Sequence, residues 1–199
     1  DSGKTGRCFT GSGPVTWNHN HHGDGICDLN GNVWEWNAGM RLVDGEIQII
    51  PYNNAAMGSK CDMSASSTLW KAIKADGSLV EPGTAGTLKW DWVSGKIQLT
   101  SGAITYKTDS GVGGQYKDMT LASGLTAPEI AKMLLLYPDE PNGDYAGDYH
   151  WFNPVGERLP VGGGRWSHGA TAGVFGLALY SPRSYAGWAI GFRSAFVDL

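Results

Sequence analysis

The chain has 199 residues and a mass of 21.3 kDa, enough for one sizeable domain, and nothing in its composition requires two. Net charge is −4 and Lys and Arg nowhere cluster among aromatic residues, which excludes the electrostatic footprint of a nucleic-acid surface. No apolar run is long enough to span a bilayer, so no membrane insertion is expected.

Thirty glycines and nine tryptophans, with only 17% charged residues, describe a loop-rich fold pinned by large aromatic anchors, with helix in the minority. Cys8, Cys27 and Cys61 are odd in number and lack CxxC spacing, so at least one thiol is free. That fits synthesis in the reducing cytoplasm. The chain starts at Asp1 without a signal peptide and reads as the C-terminal part of a longer protein.

Residues 1–27 are rich in Gly, Asn and His and predict irregular backbone. His19, His21 and His22 near Cys27 offer zinc-type donors, but a Gly/Asn loop enforces no convergence on them, and solvent exposure is expected. Residues 32–36 alternate as a strand, with Trp34 and Trp36 on one face and Val33 and Glu35 on the other. Residues 41–50 predict a hairpin closed by Asp44-Gly45, a dipeptide that tolerates the positive φ of a type I′ turn. A helix is expected from Ser64 or Ser66 to about Ala75, with Leu69, Trp70 and Ile73 on one face and Asp76-Gly77 at its end.

A second hairpin is expected over 87–93 and 96–100 around Ser94-Gly95, with 103–106 as a third strand. Gly111 to Gly114 has no helix after it, lacks the context of a phosphate loop and reads as a flexible turn. Thr126-Ala127-Pro128-Glu129 is a capping box that opens a helix through Leu136, ended by Pro138. Residues 139–160 read as a long surface connection. Residues 174–180 then alternate, with Phe175, Leu177 and Leu179 on one side and Gly176, Ala178 and Tyr180 on the other. The outward residues of the C-terminal stretch share no chemical theme, which suits a display surface better than an active site.

Three motifs stand out: GNVWEW at 31–36, GGG-x-W at 162–166 and GFR at 191–193. Together they resemble the C-type-lectin-like domain shared by formylglycine-generating enzymes and the variable proteins of diversity-generating retroelements. The likeness covers roughly 24–50 and 158–197. It implies a single α+β domain over 1–199, with small antiparallel sheets, two helices and extensive loops. The oxidase branch carries paired catalytic cysteines shortly after the GGxW element, whereas residues 167–185 contain none. Thiol chemistry needs a nucleophilic sulfur, so no enzyme is expected.

The variable-protein branch fits the segment 158–193. There, positions rewritten by adenine mutagenesis lie among fixed GG, W, AGVF, L, R and GFR residues. The resemblance makes Arg165, Ser167, His168, Thr171, Ala178 and Tyr180 ligand-binding positions. Ser181, Tyr185, Gly187, Trp188 and Ala189 complete the set. All but Trp188 are residue types that an AAY codon reaches by changing its adenines. Tyr180, Tyr185 and Trp188 are stiff, large side chains suited to binding hot spots.

The resemblance implies a display domain that recognises a variable protein or glycan receptor on a host or target cell. It places the protein on a virion tail fibre, of phage or virus, or on a cell surface, where oligomeric copies would add avidity. No cofactor is required, with calcium the one candidate. In formylglycine-generating enzymes the segment entering the WEW strand wraps calcium, and the matching positions are Asp28, Gly31, Val33 and Glu35. Read on its own, Glu35 fits a buried, hydrogen-bonded carboxylate equally well. Glu140-Pro141-Asn142 matches the tripeptide with which sugar-binding C-type lectins hold calcium and hexose hydroxyls. Those lectins add a Trp-Asn-Asp where this chain has Trp151-Phe152-Asn153. A calcium-dependent glycan-binding lectin is therefore the alternative, against a chance match in a turn-rich loop.

Overall fold

The computed structural model describes residue 6 and residues 8–193. In chain order its strands begin with β1 (Trp34–Trp36), β2 (Met40–Val43), β3 (Glu46–Ile49), β4 (Lys71–Ile73) and β5 (Leu79–Val80). Next come β6 (Lys89–Val93), β7 (Lys96–Thr100), β8 (Val112–Gln115) and β9 (Thr120–Leu121). After the short helix α1 (Glu129–Met133) follow β10 (Tyr149–Phe152), β11 (Glu157–Gly162), β12 (Leu177–Ser181) and β13 (Ile190–Gly191). Among the described residues the domain is mostly sheet, and no helix is long and apolar enough to cross a membrane.

All thirteen strands join one mixed sheet, whose main path runs β8-β10-β12-β11-β2-β3-β6-β7-β9. The hairpins expected at β2–β3 and β6–β7 are present. Asp44 (φ 49) with Gly45 (φ 80), and Ser94 (φ 52) with Gly95 (φ 78), take the two left-handed conformations a type I′ turn demands. The main core gathers Leu42, Ile47, Trp90, Leu99, Phe152, Leu177 and Leu179 on one side of the sheet.

Elsewhere, tertiary and side-chain contacts displace the local pattern. The helix expected over 64–75 does not form. Ser64 donates its backbone N–H to the Asp62 carboxylate and Leu69 its own to the Ser67 hydroxyl, local bonds that compete with helix, and 71–73 pairs with β3 instead. Trp70 is buried in a small cluster with Ile50 and Cys61, and the Arg41 guanidinium lies 4.4 Å from its ring centre.

The second helix shrinks to α1. Its N-terminal flank is Pro128 with no side-chain cap, so the capping box does not operate. The chain leaves the helix early and Leu135 turns left-handed (φ 58), while Leu136 is fully buried and its carbonyl accepts the Trp90 indole N–H.

Residues 103–106 are not a strand. The backbone amides of Thr105 and Tyr106 donate to the Asp91 carboxylate, both at 2.9 Å, and β9 pairs with β7 in parallel. The presumed turn at 111–114 is largely strand β8, antiparallel to β10. A Cβ on Gly113 would fall 2.7 Å from the Tyr149 and Trp151 rings, so only glycine lets both rings lie across this strand. The presumed surface connection 139–160 holds β10 and the start of β11, its Tyr-His-Trp-Phe alternation hidden among Gly, Pro and Asp.

Candidate ligand-recognition face

The three sequence motifs become neighbouring strands. β1 pairs antiparallel with β11 (Glu35↔Gly162, Trp36↔Val161) and parallel with β13 (Trp34↔Ile190, Glu35↔Gly191). Gly163 (φ 84) accepts the Gly31 N–H at 2.8 Å, and a Cβ there would stand 2.6 Å from the Leu29 carbonyl oxygen. Glycine is therefore needed twice over, for conformation and for close approach. Arg193 closes the arrangement, holding the Glu35 carboxylate through Nη2 at 2.7 Å and Nε at 3.1 Å, with Nη2 also donating to the Asp28 carbonyl at 3.2 Å.

Strand pleating divides the side chains of this region. Leu177 and Leu179 enter the main core, with Phe175 half-buried against it. Ala178 and Tyr180 point the other way, where Trp34, Val161 and Ala178 form a second core flanked by Trp36, Trp151, Tyr180 and Ile190. Register aligns Trp151, Ala178, Val161 and Trp36 across β10, β12, β11 and β1. Trp34 meets Trp151 edge-on at 5.4 Å, and the His168 ring lies 5.3 Å from each. This is a fixed aromatic bed on the outer side of the sheet.

Residues from the last loops lie over and around that bed. The Arg165 guanidinium carbon stands 5.6 Å from the Trp188 ring centre, and Trp188 lies 4.8 Å from Trp166. A Cβ on Gly187 would be 3.0 Å from the Tyr185 hydroxyl, so that ring folds back over its own turn. The Tyr180 phenol is pushed up by burial and then by Tyr185, against the opposing pull of Arg165. The His168 imidazole is pushed down by burial and then by Arg165, so Arg165 acts on both His168 and Tyr180, and Tyr185 acts on Tyr180.

The expected ligand-binding positions separate by exposure. Ser167, Tyr185 and Trp188 are exposed, while Arg165, His168, Thr171, Tyr180 and Gly187 are half-buried. Ala178 (0% exposed), Ser181 (1%) and Ala189 (7%) are not available to a ligand, a correction to the expected set. Ala178 points outward as its alternation requires, but Trp34 and its neighbours cover it. Ser181 shares the parity of Leu177 and Leu179 and turns inward with them. Ala189 lends its carbonyl to the Trp34 N–H at 2.9 Å, joining the loop to β1.

No protein-family model matches this chain, and no curated protein does.

At the positions expected to ligate calcium, Asp28 is buried in a left-handed conformation (φ 53), and its Oδ2 accepts the Gly11 N–H at 3.0 Å. The Glu35 carboxylate and Asp28 carbonyl are engaged by Arg193, so a cation using those oxygens would compete with a guanidinium already present. The Gly31 N–H donates to the Gly163 carbonyl, and among the described residues no hydrogen bond joins Val33 or Gly31 to these oxygens. Among the described residues no three or more His, Cys, Asp or Glu side chains gather as a metal-holding group. His19, His21 and His22 are exposed, and His19 Nδ1 accepts the Ile26 N–H at 2.8 Å. In the lectin-like tripeptide, Glu140 and Asn142 lie on an exposed turn. Asn153 is buried, its amide donating to Asp109 at 2.8 Å and accepting from Val155 at 3.0 Å.

Sequence reasoning missed Trp151, which lies in the aromatic bed, and Tyr149, whose ring centre is 4.5 Å from that of Trp151. The available signal was the alternation of Tyr149-His150-Trp151-Phe152, a four-residue strand pattern inside a turn-rich stretch.

Proposed function

We propose that this chain is a non-catalytic recognition domain of C-type-lectin-like fold, with a C-terminal face diversified by retroelement mutagenesis to bind varied receptors. The observation that carries the reading is the division of labour at this face. The motif residues Gly163, Trp34 and Arg193 are held in fixed contacts, while Ser167, Tyr185 and Trp188 of the same C-terminal segment are exposed. A pre-ordered bed lets a partner dock with little loss of conformational freedom, and a standard protein partner would cover about 800 Å². The partner is a protein or glycan receptor on a target cell, with display on a virion tail fibre or cell surface.

Binding to the cognate receptor is expected to fall at least tenfold on Tyr185→Ala and again on Trp188→Ala, and to persist in chelator. Surface plasmon resonance against receptor-bearing membranes measures it. Glycan binding abolished by chelator and by Asn142→Ala would replace this reading with the calcium-dependent lectin.

A further inference from the structure

The arginines identify what the face takes. Arg41, Arg158, Arg183 and Arg193 each hold a carboxylate, at Glu157, Asp109, Glu157 and Glu35, with distances of 2.7–2.9 Å. Arg165, among the described residues, has none. Its Nε is buried without a hydrogen-bond partner, its guanidinium carbon stands 5.6 Å from the Trp188 ring centre, and it acts electrostatically on His168 and Tyr180. His168 Nδ1, beside it, is also buried and unpartnered. The chain has 19 acidic residues against 15 basic ones, and among the described residues no carboxylate forms an ion pair with Arg165.

A half-buried guanidinium without a counter-ion is unfavourable. The cation–π contact with Trp188 offsets part of that cost but gives the buried Nε no acceptor. Guanidinium also presents its donors as a planar fork, the shape that receives a carboxylate through two parallel bonds.

We propose that Arg165 is the anchor for an acidic side chain of a protein receptor, which it binds against the Trp188 ring. The inference rests on the recognition reading above. A protein source is favoured because Arg165 stands against Trp188, and Tyr185 acts on Tyr180, which Arg165 also reaches; both aromatics are close to half-exposed, and Trp, Tyr and Arg are the residue types that dominate protein–protein hot spots. Their indole and phenol would pack on the apolar surface next to the acid.

Panning a phage-displayed random peptide library on the full chain tests this. Selected peptides are expected to carry Asp or Glu at a shared position beside an apolar residue and to lose at least tenfold in affinity for Arg165→Gln. Arg165→Lys keeps the acidic preference with weaker binding, and panning on Arg165→Glu selects Lys or Arg at the same place. Matched thermal unfolding of the variants establishes that the fold is retained. Peptides that require Tyr185 and Trp188 but show no acidic preference, or bind Arg165→Gln equally, overturn the acidic anchor and leave the recognition reading intact. Peptides indifferent to Tyr185 and Trp188, or no peptides at all, overturn both. On a glycan array, binding to sialylated sugars that depends on Arg165, without acidic peptides, overturns the protein source.

Discussion

Trp34→Ala is expected to destabilise the domain by about 3–5 kcal/mol, the usual cost of removing a large buried aromatic side chain. Trp34 is 2% exposed and lies at the centre of the second core, against Val161 and Ala178, with Trp151 and His168 edge-on. Its loss would leave a cavity that the short strands β1 and β13 are poorly placed to close. The same substitution removes the bed under His168, so receptor binding is expected to fail even where the variant remains folded. Urea unfolding gives the first quantity and binding at low temperature the second. Trp34→Phe, which retains part of the packing, separates the two effects by keeping the fold at reduced stability. A cost below about 1.5 kcal/mol for the alanine variant would mean that the outer face is not built on this residue.

The second large effect is acid sensitivity centred on His150. This imidazole is fully buried, stacked on Tyr116 at 4.4 Å and edge-on to Trp90 at 5.6 Å. Nε2 lies 2.9 Å from the Leu135 carbonyl oxygen and therefore carries the proton, while Nδ1 is buried with no partner. A second proton would have nowhere to hydrogen-bond, and burial brings the group from its ordinary 6.5 down to about 4. The folded state thus binds fewer protons than the unfolded chain throughout that interval. Stability is complete above pH 6.5, falls as the pH drops toward 4, and levels off below, a total loss of about 3 kcal/mol from this group. His168, also pushed down by burial, adds in the same direction. Glu157, held down chiefly by Arg183, acts lower, within the carboxylate range. Denaturant unfolding from pH 4 to 7 for the wild type and His150→Gln isolates the histidine. The glutamine variant keeps a donor toward Leu135 and is expected to lose most of the slope. Equal slopes in the two proteins would refute the assignment.

What was legible in the sequence follows from how local each determinant is. Asp44-Gly45 and Ser94-Gly95 specify their turns through their own backbone preferences, so both hairpins were readable. The alternation at Phe175, Leu177 and Leu179 correctly separated the two sides of β12. It could not reveal that Ala178 faces a second core, because the tryptophans that cover it come from β1 and β10, distant in the chain. Leu69, Trp70 and Ile73 are spaced for a helix, yet pairing with β3 and burial of Trp70 beside Cys61 prevail over that propensity. Strand β8 was invisible for a related reason. Its glycines have no side chains to show a period, and Gly113 leaves room for the rings of Tyr149 and Trp151. Arg193 was recognised within GFR as a fixed motif residue, but its attachment to Glu35 spans nearly the whole chain and appears only in three dimensions.

The recognition reading requires the C-terminal segment to carry interchangeable side chains on a frame that does not tolerate change. Comparing the unfolding free energy and ligand range of two variant sets tests it most directly. Exchanges at Ser167 and Tyr185 are expected to shift stability by no more than about 0.5 kcal/mol each while changing which ligands are bound. Ala178→Tyr, forced between Trp34, Val161 and Trp151, is expected to cost about 1–3 kcal/mol or more. If the exposed exchanges unfold the domain, or Ala178→Tyr is accepted at no cost while the exposed exchanges leave ligand choice untouched, this division of the segment is wrong.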